Sequence, residues 1–237
     1  MAIVLGFPWL AITVAAELLV ARHWRRERPT WAATAPVVTF AYLVFAAAWL
    51  LLELAGTRPL DVAPPFVELA AVHFTYAGFT AGLLATVAAR RCAAGRPLQV
   101  TVMVALVLLG PTVVAVGFRL APPLQVLGAS MLTVGLCLLS WQTARTVIPT
   151  AGDRLAAALL GVSSAADIVP MLLAVWWAVG RTAALPAPSV SVMAPTHGLA
   201  NAVGFAFLGV VGWRRLDRTE LVTRVDQMPI PDTGCGA

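Results

Sequence analysis

The sequence predicts an all-α integral membrane protein: a bundle of seven transmembrane helices with its N-terminus outside and its C-terminus in the cytoplasm. Three observations predict this fold. Hydrophobic residues make up 60% of the 237-residue chain and charged residues only 11%, against about 25% charged in a typical soluble domain. Its apolar spans have about the 20 residues that a helix needs to cross the hydrocarbon core. The arginines gather in alternate connections between these spans.

Each apolar span is separated from the next by a polar break that contains proline or glycine, as turns do. In chain order the spans are predicted at residues 2–21, 31–55, 66–89, 98–118, 123–144, 155–180 and 190–213. The chain shows no alternating ten-residue pattern of a membrane barrel, and open sheet edges do not survive in lipid. Each span is therefore interpreted as a helix.

The first span has the apolarity of a secretory signal peptide but the opposite charge order. No positive charge precedes it, and Arg22, Arg25, Arg26 and Arg28 follow it. A signal peptide carries its positive charge before the apolar stretch. The first span is therefore predicted to be a retained helix that starts outside the membrane.

Arginine counting orients the remaining helices. The chain has no lysine, and 13 of its 16 arginines flank one side of the bundle. They are Arg22, Arg25, Arg26, Arg28, Arg90, Arg91, Arg96, Arg145, Arg154, Arg214, Arg215, Arg218 and Arg224, whereas Arg58, Arg119 and Arg181 flank the other. The rule that cytoplasmic loops are positive places the larger set inside. One membrane domain is predicted at 1–218, followed by a disordered cytoplasmic tail at 219–237.

Composition also limits the partners. A pI near 10.1 would suggest nucleic acid in a soluble protein, but membrane orientation accounts for arginines between apolar spans. We therefore expect no nucleic-acid partner. The expected surroundings are the lipid bilayer of a bacterial inner membrane. The three cysteines form no CxxC pair, so neither a disulfide framework nor a zinc site is indicated.

A few polar residues interrupt otherwise apolar spans, and they are the candidate functional residues. Glu68 and His73 lie in the third span, Asp167 in the sixth, and His197 with Asn201 in the seventh. An ionisable group at mid-membrane costs about 3 kcal/mol unless it is paired or faces a cavity. We expect these side chains to converge on one water-poor pocket.

Local features refine this expectation. Glu53 lies near the outer end of the second span, close to the depth of Glu68. It could be a catalytic acid or simply a solvated side chain at the membrane boundary. Ser163 and Ser164 lie one turn from Asp167 and could hold its side chain. Pro170 and Pro195 free backbone carbonyls near the polar residues, which can open a cavity, although proline is also tolerated in ordinary membrane bundles.

The candidate pocket residues have less specific alternatives. A buried histidine is usually a hydrogen-bonded strut, and a metal site of His73, His197 and one carboxylate is not required by any local spacing. The expected lining residues are Trp49, Tyr76, Phe79, Trp176, Asn201 and Phe205. The commonest role of such aromatic residues is packing or an interfacial belt, but ring faces also stabilise cations.

Two stretches carry a family resemblance. One is Ala71-Val72-His73-Phe74-Thr75-Tyr76-Ala77-Gly78-Phe79, and the other is Pro195-Thr196-His197-Gly198-Leu199-Ala200-Asn201-Ala202-Val203-Gly204-Phe205. Together they resemble the signature stretches of the YndJ-like family of bacterial integral membrane proteins. That resemblance implies a membrane topology rather than a reaction.

The bundle is also similar, more loosely, to the membrane-bound terpene cyclases of fungal meroterpenoid and bacterial drimentine-type pathways. Those enzymes are thought to start cyclisation with a carboxylic acid that protonates an alkene or epoxide. The resemblance implies cyclisation of a farnesyl-type isoprenoid chain or prenylated substrate, with Asp167, Glu68 or Glu53 as the acid. His73 and His197 would support it. Burial suits such an acid because low dielectric keeps a carboxyl group neutral.

No cofactor is expected, because the chain lacks the DDxxD and NSE-type metal motifs that ionise a prenyl diphosphate. Two other functions remain open: a proton-coupled transporter that uses the same residues as a relay, and a non-catalytic membrane partner protein. A transporter should show polar groups along a path toward both membrane faces, whereas an enzyme should show a closed pocket. The oligomeric state is left open.

Overall fold

The computed structural model describes residues 2–26, 31–62, 64–92 and 96–226. Within these ranges seven helices are long and apolar enough to cross a membrane, and there is no strand. They are α1 (Ala2–Arg26), α2 (Trp31–Leu54), α3 (Phe66–Cys92), α4 (Pro97–Arg119), α5 (Pro122–Thr150), α6 (Arg154–Ala183) and α7 (Val190–Leu221). This confirms the prediction of a multi-pass, seven-helix membrane protein. The side on which each terminus lies stays a prediction.

Several helices extend beyond the apolar spans of the sequence. The helical backbone of α7 continues through Asp226, so the predicted boundary at residue 218 falls inside a helix. Backbone hydrogen bonds, unlike hydropathy, do not stop where the side chains become polar. The remainder of the predicted tail, 227–237, lies outside the described residues.

Helix α3 lies at the centre of the bundle. It packs against α2, α4, α5 and α7, while α5 packs against α4 and α6, and α6 against α7. Helix α1 packs chiefly on α2. The buried core includes Met103 and Val107 of α4 and Leu136 of α5. This arrangement places α7 beside both α3 and α6, so the three helices that carry the predicted functional residues are neighbours.

The two ends of the bundle differ in charge. Arg91 of α3, Arg145 of α5, and Arg154 of α6 mark one end, here called the arginine-rich end, together with Arg215 of α7. The other end, called the arginine-poor end, has Arg119 of α4 and Arg181 of α6.

The outer surface of the bundle is apolar. On α1 alone, the side chains of Val4, Leu5, Ile12 and Leu19 are each more than 60% exposed. Monomeric soluble proteins rarely expose contiguous apolar patches of this kind. A lipid environment accounts for this surface, in agreement with the multi-pass prediction.

Three helices change their hydrogen-bonding pattern partway along. The backbone is π-helical at Phe74–Thr80 in α3, at Thr143–Val147 in α5, and at Ala194–Gly198 and Ala200–Phe207 in α7. The α-helical pattern of α6 is interrupted at Asp167. π-Helical turns are rare and are frequent at functional sites. The π-helical turns of α3 and α7 overlap the two sequence stretches that carry the predicted histidines.

Candidate intramembrane site

Asp167 is the most deeply buried acidic residue of the described chain. Its exposed fraction is 0%, and it stands at the interruption of α6, near the middle of that helix. The hydroxyl of Ser140 lies 3.3 Å from each of its carboxylate oxygens. One hydroxyl supplies one proton, so these two contacts share a single, long hydrogen bond. Asp167 therefore has a polar neighbour but no cationic partner within the described ranges.

The expectation that Ser163 holds Asp167 is wrong. The hydroxyl of Ser163 donates instead to the backbone carbonyl of Phe205, at 2.7 Å. It does so because Ser163 faces α7, whereas the carboxyl group of Asp167 faces α5. The hydrogen bond that was expected within α6 is thus made between helices, from Ser140.

Helix α5 carries a row of buried polar side chains along its contact with α6. Thr133, Ser140 and Thr143 are all buried, and steps of seven and three residues keep them on one helical face. The hydroxyl of Thr133 donates to Ala129 and lies 3.4 Å from the carbonyl of Met171. Together with the Ser140–Asp167 contact, this fixes the antiparallel register of α5 and α6.

His197 and Asn201 form the second polar group, on α7. The Nδ1 atom of His197 lies 2.7 Å from the carbonyl oxygen of Pro170. A carbonyl only accepts, so Nδ1 carries the proton and donates it. Asn201 Nδ2 lies 3.3 Å from the same Nδ1 and 4.0 Å from the sulfur of Met171. The Oδ1 atom of Asn201 is buried without a hydrogen-bond partner in the described chain.

His73 approaches this group from α3. Its ring lies beside the backbone carbonyl of Pro111 and is near enough to His197 for the two imidazoles to interact electrostatically. The edge of the ring meets Phe74, with 5.6 Å between ring centroids. Its Nε2 atom is buried and has no partner among the described residues. Each histidine thus neighbours the carbonyl of a proline on another helix.

The contacts between α6 and α7 set the relative depth of these groups. Ser163 meets Phe205, and Pro170 meets His197. Because the two helices run antiparallel, Asn201 lies level with Asp167 between those contacts. The structure therefore brings His197 and Asn201 together, with His73 on the neighbouring helix α3. Asp167 lies at the same depth, with its carboxyl group turned toward α5.

The other two predicted acids lie elsewhere. Glu68 is exposed in the first turn of α3, and Glu53 is half-buried near the end of α2. Neither takes part in the hydrogen bonds of His197 and Asn201. Both helix ends lie at the arginine-poor end of the bundle. No group of three or more potential metal-ligating side chains gathers within the described ranges.

The predicted aromatic residues fall into two places. Trp49 stacks on Phe45, whose edge meets Phe74 beside His73. Phe79 packs edge-on against a phenylalanine of α2, and Phe205 is buried. Tyr76 is 39% exposed on the surface of α3. Trp49, Phe79 and Phe205 therefore belong to the packing of α2, α3 and α7, whereas Tyr76 lies on the surface.

Trp176 belongs to a different feature, a cleft near the arginine-poor ends of α6 and α7. The cleft is open to the surface, has a volume of about 390 Å³ and is lined by Leu173, Trp176, Pro186, Ala187, Pro188, Val192 and Thr196. The indole nitrogen of Trp176 donates to the carbonyl of Pro186 at 3.0 Å. None of His73, His197, Asn201 and Asp167 is among the lining residues of the cleft.

Ionic contacts join three helices at the arginine-rich end. Arg91 of α3 contacts Asp217 at 2.5 Å and Glu220 at 2.6 Å, both on α7. Arg215 of α7 lies 2.6 Å from Asp153, which caps the first turn of α6. At this end of the bundle, the ion pairs hold α3 and α6 against α7. These are the helices that carry the site.

Asp153 lies between the membrane helices α5 and α6. The backbone amides of Ala156 and Leu155 donate to its carboxylate, at 3.1 and 2.8 Å. These hydrogen bonds and the nearby Arg215 guanidinium hold the pKa of Asp153 below its ordinary value of 3.8. The charged form of this carboxylate is therefore stabilised by folding.

Sequence reasoning missed two buried polar positions, Ser140 at the site and Tyr42 in the contact between α2 and α4. Ser140 was not singled out, although its spacing from Thr133 and Thr143 repeats on one face of a helix. Tyr42 of α2 was also missed; its hydroxyl donates to the carbonyl of Leu108 and meets Thr112 at 2.6 Å. A search for polar residues at helical spacing within each apolar span finds the row on α5.

Comparison with known proteins gives one finding. A family model described as "YndJ-like protein" matches residues 1–205, which include both motif stretches. This confirms the family expected from those stretches, and its description names no reaction. No curated protein and no solved structure matches the chain. The looser likeness to terpene cyclases finds no support in these comparisons.

Proposed function

We propose that this chain, which belongs to the YndJ-like family, is a proton-coupled membrane transporter in which Asp167 binds and releases the proton. The observation that carries the proposal is the complete burial of Asp167 at mid-helix, where the hydroxyl of Ser140 is its one side-chain hydrogen-bond partner among the described residues. A carboxyl group without a fixed counter-charge can take up a proton or accompany a passing cation. Intramembrane acids with this character mark ion pathways and proton relays.

Polar side chains on both sides of Asp167 support a relay. Toward the arginine-poor end lie His197 and the neighbouring His73. Toward the arginine-rich end, Gln142 and Thr143 of α5 are buried, and Gln142 Nε2 has no partner within the described residues. An enzyme pocket sealed on one side does not need polar groups in this second direction. Their presence favours transport over the enzyme that the sequence suggested.

The orientation of the protein in the membrane is inferred from the arginine distribution. The rule that cytoplasmic loops are positive places the arginine-rich end in the cytoplasm and the N-terminus outside. In this orientation His73 and His197 lie in the outer half of the membrane. Gln142 and Thr143 lie in the inner half. We place the protein in the cell membrane, the inner membrane of a bacterium.

An assay with inverted membrane vesicles tests this proposal. Vesicles from cells that express the chain are given a pH gradient, and solutes of several classes are added in turn: amines, carboxylates, sugars and metal cations. We expect at least one class to discharge the gradient faster in wild-type vesicles than in Asp167→Asn vesicles. Glu68→Gln, which changes an exposed acid of the same bundle, is the matched control and should behave as wild type.

The same assay can reject the proposal. Equal rates of discharge in wild-type and Asp167→Asn vesicles, for every class of solute, mean that Asp167 does not couple a proton to transport. The comparison between variants also removes any contribution from solutes that cross the lipid unaided.

A second candidate function, proton-initiated cyclisation of an isoprenoid chain, is favoured by the cleft beside Trp176. Its volume falls within the range of small-molecule sites, about 300–1,000 Å³, and its apolar lining suits a prenyl tail. Asp167 would be the general acid. Trp176 follows Asp167 by nine residues, or about 13 Å along the helix axis, so the tail would lie in the cleft and the reacting end beyond it.

Product analysis tests the second candidate. Cells that express the wild-type chain are fed farnesylated and geranylgeranylated acceptors, and the products are compared with those of Asp167→Asn cells. Cyclisation predicts a product with the mass of its substrate that only wild-type cells make. Unchanged acceptors in wild-type cultures reject it.

A further inference from the structure

Three aromatic rings surround the guanidinium group of Arg181, near the arginine-poor end of α6. The ring centroid of Trp177, one turn earlier on the same helix, lies 5.0 Å from the guanidinium carbon. The rings of Phe66 on α3 and Phe118 on α4 each lie 5.8 Å from it. The rings also pack on one another, because Phe118 is 5.3 Å from Phe66 and 5.8 Å from Trp177. Rings from three helices therefore position this one cationic side chain.

The charge of Arg181 has no counter-charge in the described chain. Its guanidinium forms no ion pair with a carboxylate there, and the residue is exposed. The rings around it offer no oxygen acceptor, so its planar fork of N–H donors is available to a phosphate, which it matches with two parallel hydrogen bonds. Because the rings already order the long side chain, an anion that binds to it loses less rotamer entropy.

The cleft between α6 and α7 lies beside Arg181. Gly180, which directly precedes Arg181, packs on the loop wall of the cleft, where a Cβ atom on this glycine would lie 2.4 Å from Ala187 Cβ. Trp176, one turn before Gly180, lines the cleft, as does Leu173. Leu173 precedes Arg181 by eight residues, or about 12 Å along the helix axis. From the end of α6 inward, the cationic group thus comes first and the apolar lining follows.

The lining of the cleft suits a hydrocarbon chain. Two of its side chains carry hydrogen-bond donors, and both donors are already used. The indole of Trp176 donates to the carbonyl of Pro186 at 3.0 Å, and the hydroxyl of Thr196 donates to the carbonyl of Val192 at 2.6 Å. The cleft is open to the surface, so a chain can enter it from the bilayer. Its occupant therefore needs an apolar tail and gains no hydrogen bond from these donors.

We propose that Arg181 and the cleft between α6 and α7 together bind one anionic phospholipid. The lipid phosphate accepts hydrogen bonds from the Arg181 guanidinium, and one acyl chain lies in the cleft. Charge complementarity selects the anion, because Arg181 attracts a phosphate and repels a cationic headgroup. The order of charge and apolar surface along α6 is the order of headgroup and tail in a membrane leaflet. This site goes beyond the proposed transport function, since it does not involve Asp167.

Native mass spectrometry of the delipidated, full-length chain in detergent tests the headgroup contact. Phosphatidylglycerol and phosphatidylcholine with identical acyl chains are titrated separately, and the Kd of the first bound lipid is measured. Both carry the phosphate, but the choline ammonium cancels its charge. We expect phosphatidylglycerol to bind about fivefold more tightly to wild type, the factor that one arginine near a membrane surface contributes. Arg181→Gln should lose this preference. Arg119→Gln, which removes an exposed arginine of α4 at the same end, is the matched control and should keep it.

A second pair of variants tests the position of the acyl chain. Val192→Trp places an indole in the cleft and should weaken the binding of both lipids severalfold. Val203→Trp is the matched control, because Val203 lies on the same helix, is 50% exposed like Val192, and does not line the cleft. Gel filtration shows whether Val192→Trp is folded. If it is not, Ala187→Leu, which narrows the cleft from the loop side, takes its place.

Several outcomes overturn the proposal. An unchanged preference in Arg181→Gln, or an equal loss in Arg119→Gln, would mean that lipids respond only to the general charge of this end. A preference of wild type for phosphatidylcholine would mean that the aromatic rings bind the choline ammonium in place of Arg181. Unchanged binding in the folded cleft variant would place the acyl chain elsewhere. Displacement of the lipid by inorganic phosphate would make a soluble anion the ligand.

Discussion

The contact between α4 and α5 and the contact between α6 and α7 both use glycine packing, but they differ in how many polar groups they contain. Across the first, glycines let the backbones approach closely: a Cβ atom on Gly128 would lie 2.4 Å from the backbone nitrogen of Val114. Across the second, hydroxyl and imidazole groups reach backbone carbonyls, as Ser163 and His197 do. Glycines of α7 also pack closely on α6, so van der Waals packing holds both pairs of helices. The second pair adds hydrogen bonds and unpartnered polar atoms.

Backbone regularity differs in the same way. The part of α5 that faces α4 is α-helical through Gln142, whereas α6 is interrupted at Asp167 and α7 has two π-helical stretches. In a membrane, packing of small residues is a sufficient source of helix association. The bundle therefore has a rigid side that supplies stability and a polar side whose irregular backbone is available for function. Four predictions test this division.

The largest effect is expected from a permanent charge in the polar side. Asp167→Lys places an ammonium group at mid-membrane with no acidic neighbour and should lower the free energy of unfolding by about 3 kcal/mol or more. Asp167→Asn, which is neutral and similar in size, should change it by less than about 1 kcal/mol. Denaturant unfolding in detergent micelles measures both. Equal stabilities of the two variants would mean that the site is open to water.

The next effect is expected on the packed side. Gly128→Ala forces a methyl group against the backbone of α4, and overpacking of this kind costs about 1–3 kcal/mol. Gly161→Ala is the matched control, because the nearest atom to its new Cβ would be Ile148 Cδ1 at 3.8 Å. The control should leave stability unchanged or raise it slightly. The idea of a rigid side fails if both variants unfold at the same denaturant concentration.

The comparison also shows what the sequence could and could not predict. Seven helices were predictable because hydropathy reports burial in lipid directly. Asp167, His73, His197 and Asn201 were predictable as important positions, because each is costly in an apolar span. Their partners were not, since Ser140 and the carbonyls of Pro111 and Pro170 depend on helix rotation and register, which one sequence does not encode in any local pattern.

The burial of individual side chains was the second property that the sequence could not predict. Trp176 and Glu68 lie at plausible depths, but depth does not say which face of a helix meets its neighbours. Trp176 borders the cleft on the surface, 52% exposed, and Glu68 is exposed at the end of α3. The π-helical stretches were also unpredictable, because residue pattern alone does not distinguish them from α-helix.

A smaller effect is expected from the hydrogen bond between α6 and α7. Ser163→Ala removes the bond to the Phe205 carbonyl and should lower the free energy of unfolding by about 0.6 kcal/mol, the average for such bonds between membrane helices. Ser164→Ala, one position along the same helix and only half-buried, is the control. Repeated denaturant titrations resolve the difference. A loss above about 2 kcal/mol would show that hydrogen bonds, and not packing alone, hold the bundle together.

The smallest effect concerns the charge of Asp153, at the arginine-rich end that both sides of the bundle share. Folding lowers the pKa of Asp153 below its ordinary value of 3.8, chiefly through the hydrogen bond from the Ala156 amide. A depressed pKa contributes stability that is fully present above 3.8 and is lost as the pH falls through the folded-state pKa.

Asp153→Asn keeps the helix cap but removes this charge. Wild type should therefore unfold at a higher temperature than the variant at pH 7, and the difference should disappear at strongly acidic pH. A difference that stays constant across this range would mean that the cap acts through hydrogen-bond geometry alone, and that the ion pair with Arg215 contributes nothing to the contact between α6 and α7.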